Sequence, residues 1–194
     1  LNGSYSPDIF VSIGGPGASN PQTVSAKVGA SIGSIISNQE MENPIRLVSG
    51  DVLTGKTVEK DNFLGFYDSA VALIPDTVGR PFMGMLALGS NDSKYSLTST
   101  FMSFGEKLFN FNTAQNGEER AIVPIGAWEK VLPMDIYPNE LFRAILAQDI
   151  DEMEQLGIWE CDDEDFALCS FACPSKIDVG AVIRDGLELM ELEG

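Results

Sequence analysis

The stretch IRLVSGDVLTGKT, residues 45–57, decides between two folds for the first half of the chain. Its last eight residues match the pattern G-x-x-x-x-G-K-[ST], the phosphate-binding loop of many nucleotide hydrolases. That loop must follow a buried strand and open a helix, so that backbone N–H groups face the phosphates. The residues that come next, VEKDNFLGFYDS, have no regular apolar stripe and predict no helix.

The loop residues also argue against phosphate binding. Val52 and Leu53 resist the unusual backbone angles of such a loop, and Asp51 would place a negative charge beside the phosphates. We therefore interpret the stretch as two short β segments flanked by Gly50 and Gly55. The residues interpreted as a chance match to a P-loop are Gly50, Gly55, Lys56 and Thr57. A P-loop nucleotide hydrolase stays the remote alternative.

The remainder of the first half is also rich in strand signals. Short β-branched or apolar runs, separated by Gly, Pro, Asn and Asp, predict further strands at residues 8–13, 70–74, 82–88 and 121–125. Apolar residues at helical spacing predict one short helix between Val28 and Ile36.

The second half changes to helical patterns after Pro133. Apolar stripes and capping residues predict helices that begin near Pro138, after Asp149, after Asp162 and before the C-terminal residues. The chain is therefore predicted to be α+β. We expect a β-rich lobe of residues 1–125 and an acidic, all-helical domain of residues 126–194.

The net charge of −17 is concentrated in the second half. Residues 121–194 hold 17 acidic and 4 basic side chains, a net of −13, against 12 acidic and 8 basic, a net of −4, in residues 1–120. Such a surface repels nucleic acid, so we expect no nucleic-acid partner. No apolar run reaches the roughly 20 residues of a membrane-spanning helix, so we expect no direct membrane span.

The cysteines form the other informative pattern. Cys169-Ser-Phe-Ala-Cys173-Pro matches the end of the ferredoxin run C-x2-C-x2-C-x3-C-P, but the two earlier ligand positions hold Asp163 and Phe166. We interpret Cys169 and Cys173 as remnants of a lost iron–sulfur motif that now act as core residues. A cluster completed by another chain stays an alternative. The chain has no histidine, which removes the commonest general base, and we identify no catalytic residue and no metal site.

Long, unusual strings of sequence then carry a specific resemblance. Residues 107–138 (KLFNFNTAQNGEERAIVPIGAWEKVLPMDIYP), residues 162–176 (DDEDFALCSFACPSK) and the ending IRDGLELMELEG resemble the A-subunit of the sodium-translocating NADH:quinone oxidoreductase. The stretch at residues 45–55 resembles the soluble-ligand-binding β-grasp (SLBB) segment of that family. The resemblance runs from about residue 21 to the end of the sequence, and the absence of an initial Met suggests a C-terminal piece.

The resemblance implies a fold, a cellular location and a set of partners. The fold would be an SLBB-like β-grasp part followed by a helical domain that resembles a helical ferredoxin without its cluster. The chain would be a peripheral component on the cytoplasmic side of the bacterial inner membrane. Its partners would be other subunits, chiefly the membrane-embedded B-subunit, in a complex that uses flavins, iron–sulfur centres, NADH and ubiquinone. This chain itself would hold no cofactor.

The resemblance leaves the role of the chain open between two main alternatives. The first is a structural and docking part of the A-subunit, with a possible contribution to quinone binding next to the B-subunit. The second is a free-standing β-grasp module that binds a small, quinone-like ligand. Several aromatic residues are candidates for lining a quinone pocket, although aromatic side chains more commonly fill cores. These are Phe101, Phe104, Phe109, Phe111, Trp128 and Trp159.

Overall fold

The computed structural model describes residues 3, 5–41, 44–76, 95 and 108–193. These residues form two compact units: residues 3–76 with 95 and 108–114, and residues 115–193. Residues 115–125, which the sequence assigns to the β-rich lobe, group with the second unit. The domain division after residue 125 stays a prediction, and the strand expected at residues 82–88 lies outside the described residues.

The first unit is built on a mixed sheet. Its described strands are β1 (Asp8–Gly14), β2 (Gln22–Lys27), β3 (Ile45–Ser49), β4 (Lys56–Val58) and β5 (Ala70–Pro75). The strand order is β2-β1-β5-β3-β4, in which β1 and β5 are parallel and every other pair is antiparallel. A short helix, α1 (Ile32–Ile35), connects β2 to β3. This order, with a helix after the first hairpin, agrees with the β-grasp part that the sequence predicts.

Alternate residues of the strands form the core of this unit, because successive side chains point to opposite faces of a sheet. The inward residues of β1, β3 and β5 pack against the apolar residues of α1. The helix begins later than the pattern predicts, because Gly29 turns the chain at φ +75° and Ser31 caps the first turn. The buried core residues are Val11, Ile13, Ile32, Ile35, Ile36, Leu47, Leu64, Val71 and Leu73.

The second unit is helical. Its helices are α2 (Pro138–Ala147), α3 (Ile150–Gln155), α4 (Ala167–Ala172) and α5 (Val179–Glu193), with 3-10 turns at Ile158–Glu160 and Asp163–Phe166. The predicted capping residues act locally: the Asp149 carboxylate accepts a hydrogen bond from the backbone N–H of Glu152 at 3.1 Å, and Asp162 forms a capping box with Asp165. The α+β class and the C-terminal helical region are therefore confirmed.

The strand predicted at residues 121–125 is wrong. Its residues have no regular secondary structure and pair with a loop of the helical unit. Arg120 donates its backbone N–H to the Ser175 carbonyl, and the Ser175 hydroxyl donates to the Ala121 carbonyl, both at 2.9 Å. Pro124 has no N–H to give to a strand ladder, so a β-branched sequence alone does not produce a strand here.

Among the described residues, no helix is both long and apolar enough to cross a bilayer.

Candidate functional site

The octapeptide Gly50–Thr57 lies in the hairpin between β3 and β4. Gly50 adopts φ +96°, and Lys56 and Thr57 belong to β4, where they pair with Ser49 and Val48 of β3. A strand therefore follows the glycine-rich turn, where a phosphate-binding loop requires a helix.

The side chain of Asp51 occupies the N–H groups of this turn. Its carboxylate accepts hydrogen bonds from the backbone N–H groups of Leu53 at 2.6 Å and Thr54 at 3.0 Å, and from the Thr54 hydroxyl at 2.7 Å. These bonds, chiefly the one from the Thr54 hydroxyl, lower the pKa of Asp51 below its usual value. An internal anion thus stands where an external phosphate would bind. The interpretation of Gly50, Gly55, Lys56 and Thr57 as a chance match stays a prediction.

The thiols of the second unit are core groups. Cys169 is fully buried in α4, Cys173 is 1% exposed at its C-terminal cap, and Cys161 is 8% exposed. The Cys169 thiol points toward the Trp128 carbonyl at 3.9 Å, and the Cys161 thiol toward the Gly157 carbonyl at 3.5 Å. All three sulfur atoms are free, without a disulfide.

Burial controls the chemistry of two of these thiols. Desolvation, with smaller contributions from Asp165 and Glu160, raises the pKa of Cys161 to about 11. Desolvation, followed by the charge of Glu129, raises the pKa of Cys169 to about 12. Both groups are therefore protonated at neutral pH, whereas a nucleophile or a metal ligand must be a thiolate.

The positions of the ferredoxin-type run do not fit an iron–sulfur cluster. Phe166, at one ligand position, is fully buried and packs in the same core as Cys169 and Cys173. Asp163, at the other, accepts a hydrogen bond from Nε of Arg184 at 2.9 Å and forms an ion pair with its guanidinium. A cubane cluster needs four soft thiolates, and this segment offers an aromatic ring and a carboxylate that is already paired.

The described residues contain no group of three or more His, Cys, Asp or Glu side chains that is arranged to hold a metal ion.

The predicted aromatic candidates differ from one another in burial and in ring contacts. Trp128 is 2% exposed and packs edge-on against Phe142 with ring centroids 5.2 Å apart, so it is a core residue. Phe109 stacks on Phe111 at 5.1 Å in the first unit, and Trp159 is 54% exposed in the second. Phe101 and Phe104 lie outside the described residues.

A small cavity lies beside Trp128. It is lined by Ile122, Val123, Ala127, Trp128, Asn139, Cys173, Pro174 and Ser175. Its two buried polar side chains already have partners, because Asn139 donates to the Glu129 carboxylate and Ser175 donates to the Ala121 carbonyl. Neither of these two side chains is therefore free to orient a ligand in the cavity.

Sequence reasoning missed a group of exposed aromatic residues in one loop of the first unit. Phe63, Phe66 and Tyr67, in the loop between β4 and β5, are 67%, 71% and 93% exposed. The available signal was their concentration in NFLGFYD, a segment that predicts neither helix nor strand. Large aromatic residues on a loop are unusual enough to mark a surface for attention.

Residues 10–60 match the family described as NQRA C-terminal domain (SLBB). The chain is 39% identical to the A-subunit of the Na(+)-translocating NADH-quinone reductase of Hahella chejuensis over 196 aligned residues, which cover 100% of this chain and 43% of that protein. It is 40% identical to the A-subunit of Mannheimia succiniciproducens, covering 99% of this chain and 43% of the relative. It is 42% identical to the A-subunit of Pasteurella multocida, covering 95% of this chain and 41% of the relative.

The chain thus spans less than half the length of the curated relatives it matches. The similarity covers both compact units, since the alignment with the Hahella protein takes in every residue. The resemblance found in the sequence is confirmed: residues 10–60 belong to the NQRA C-terminal domain family, and the whole chain is similar to the corresponding part of A-subunits of the Na(+)-translocating NADH-quinone reductase.

Proposed function

We propose that the chain serves as a structural and docking part of the A-subunit in a sodium-pumping NADH:quinone reductase. The observation that carries this proposal is the match of 39–40% identity along the whole chain to proteins with that name. Flavins, iron–sulfur centres and NADH would act elsewhere in the complex, whereas a contribution of this chain to quinone binding next to the B-subunit stays part of the proposal.

The chemistry of the chain supports a role without catalysis. Electron transfer through a cluster needs thiolates, and the ferredoxin-type segment instead buries Phe166 and two cysteines in one core. A chain that holds no histidine also lacks the commonest acid–base group.

The charge of the helical unit supports docking to a basic partner. No Lys or Arg occurs between Arg143 and Lys176, whereas the segment from Asp149 to Asp165 holds nine acidic residues. Cytoplasmic loops of membrane proteins carry an excess of Lys and Arg, so an acidic peripheral unit complements them. We therefore propose that this unit faces the membrane-embedded B-subunit on the cytoplasmic side of the membrane.

Co-purification with the membrane subunits tests this proposal. Deletion of residues 126–194 is expected to abolish recovery of the chain with the B-subunit. In the undeleted protein, the triple change Asp151→Asn, Glu152→Gln and Glu154→Gln on the exposed side of α3 is expected to weaken recovery, most clearly at low salt.

The matched control changes exposed acids of the first unit, Glu59→Gln and Asp61→Asn. Equal recovery of all variants would exclude the acidic unit as the docking surface. Saturable binding of a quinone analogue by the isolated chain would instead favour the small-ligand module.

A further inference from the structure

Among its described residues, the first unit carries a set of large apolar side chains that are exposed. Phe63, Phe66 and Tyr67 are each more than two-thirds exposed, and the rings of Phe66 and Tyr67 meet edge to face at 4.9 Å. The β3–β4 turn adds Val52 at 60% and Leu53 at 43% exposure. We call these five residues the aromatic surface. Exposed apolar side chains of this size on two adjoining turns mark a contact site in a soluble protein.

The two turns that carry the aromatic surface are held side by side. The Ser49 hydroxyl donates to the Asp68 carboxylate at 2.5 Å and accepts from the Gly65 N–H at 3.1 Å. A Cβ added to Gly50 would lie 3.3 Å from that same carboxylate. The β3–β4 turn therefore lies close to the β4–β5 loop that carries Phe63, Phe66 and Tyr67, which we call the aromatic loop.

The aromatic loop is also fixed to the core beneath it. Leu64 is 4% exposed, its N–H donates to the Ala30 carbonyl at 3.0 Å, and Phe63 forms a β-bridge with Ser31. The exposed rings are therefore presented on a pre-ordered support, which lowers the entropy cost of covering them.

The charges around the aromatic surface indicate what covers it. The charges of Lys56, Glu59, Lys60 and Asp61 sum to zero, and the carboxylates of Asp51 and Asp68, which are hydrogen bonded within the turns, bring the local net charge to −2. The aromatic surface thus lies in a weakly acidic region of a chain of net charge −17. It lacks the excess of Lys and Arg that attracts anionic lipid. An apolar centre with few charges is typical of permanent interfaces.

We propose that the aromatic surface packs against the region of the A-subunit that this chain does not cover. The curated relatives are single polypeptides of which this chain spans 43%, so more than half of their length lies outside the alignment. Covalent connection gives that region a high effective concentration at the aromatic surface. This interdomain contact does not depend on the acidic docking surface proposed above.

Tyrosine nitration measures whether the rest of the A-subunit covers the ring of Tyr67. This chain is prepared alone and also joined to the region of the Hahella A-subunit that it does not cover. Tyr67 is expected to react readily in the chain alone and about tenfold more slowly in the joined polypeptide, because a covered ring must open before it reacts. Tyr137, 68% exposed in the second unit, is the internal control.

A second measurement separates the contact from local folding. The double change Phe66→Ala and Tyr67→Ala is expected to lower the melting temperature of the joined polypeptide and to leave the chain alone unchanged. Phe10→Ala, which removes a ring that is 75% exposed on β1, is the matched control. If the joined polypeptide is insoluble, nitration is repeated with the uncovered region added as a separate polypeptide.

Three results would overturn the proposal. Equal nitration of Tyr67 with and without the uncovered region means that this region does not contact the aromatic surface. A dimer of the chain alone that the double change dissociates assigns the surface to a second copy. Flotation with phosphatidylcholine–phosphatidylglycerol vesicles that the double change abolishes assigns it to the membrane.

Discussion

Phe166 removes a possible cluster ligand from its segment. It stands at a ligand position of the ferredoxin-type run, is fully buried, and packs with Cys169 and Cys173. An aromatic ring supplies large apolar area to a core, whereas a thiolate at that position would need a metal or a positive charge beside it. The side chain of Phe166 thus makes this segment part of the hydrophobic core.

The protonation state of the buried thiols predicts how fast they react with a thiol reagent. Burial raises the pKa of Cys161 to about 11 and of Cys169 to about 12. At pH 8 the thiolate fraction of either group is therefore about 0.1% or less. Ellman's reagent is expected to leave Cys161 and Cys169 unmodified in native buffer and to modify all three cysteines in urea. Rapid native modification of Cys169, mapped by mass spectrometry, would contradict the buried placement.

The β3–β4 hairpin shows how one turn depends on a glycine. A Cβ on Gly55 would lie 2.4 Å from the Asp51 carbonyl oxygen, 2.6 Å from the Ser49 carbonyl oxygen and 2.6 Å from Cγ1 of Val48. The tight turn is by itself a sufficient reason for glycine at this position of the octapeptide.

Gly55→Ala is therefore expected to lower the free energy of unfolding by about 1–3 kcal/mol, because backbone must shift to admit the methyl group. Gly14→Ala is the control, since a Cβ there meets nothing within 4 Å. Urea unfolding measures both. Lys56→Ala, on the edge strand, is expected to stay within about 0.5 kcal/mol of the original chain. Equal stability of the two glycine variants would show that the turn relaxes freely.

The ion pair between Asp163 and Arg184 connects the start of the thiol-bearing helical segment to α5. Hydrogen bonding to Arg184 lowers the pKa of Asp163, while the neighbouring Asp163 raises the pKa of Asp162. A lowered carboxyl pKa contributes stability above the unfolded value of about 3.9, and this contribution is lost as the pH falls through the folded value. Asp162 acts in the opposite direction.

Asp163→Asn is expected to lower the urea midpoint modestly at pH 7 and by progressively less as the pH falls below about 3.9 and through the folded pKa of Asp163, because protonation removes the ion pair from the original chain. The Asn side chain keeps an oxygen for the backbone N–H of Glu164, which Asp163 binds at 3.0 Å. Glu164→Gln is the matched control in an exposed neighbour. A midpoint difference that does not change with pH would show that the ion pair contributes nothing.

Local signals predicted the helical elements well. Pro138, Asp149 and Asp162 act through their own backbone and nearest neighbours, so they can be interpreted without knowing the fold. Strand β2 was missed because QTVSAK has few apolar residues and depends on its pairing with β1. The exposure of Phe66 could not be predicted, since it depends on how distant segments pack around the loop.

At the scale of the whole molecule, each unit has its own core. The buried cluster of the second unit runs from Ala127 to Met190, and that of the first unit from Val11 to Leu73. The family resemblance could be identified from long strings of sequence, whereas the grouping of residues 115–125 with the second unit could not. The segment at residues 120–121 joins the helical unit through Ser175, which is more than 50 residues away.

A polypeptide of residues 115–194 is therefore expected to fold alone, with helical circular dichroism and one cooperative thermal transition. The shorter polypeptide of residues 126–194 lacks the two bonds that Arg120 and Ala121 make with Ser175. It is expected to be less stable by about 1–3 kcal/mol. Indistinguishable melting curves would place the edge of this unit after residue 125.

Among the described strands of the sheet, the central strand is the last one to leave the ribosome. β5 lies between β1 and β3, so the β1–β2 and β3–β4 hairpins have no common partner until residues 70–75 are synthesised. Isolated two-stranded hairpins are marginally stable in water. The nascent chain therefore stays without a closed sheet until β5 emerges, and this is the interval in which a chaperone would matter most.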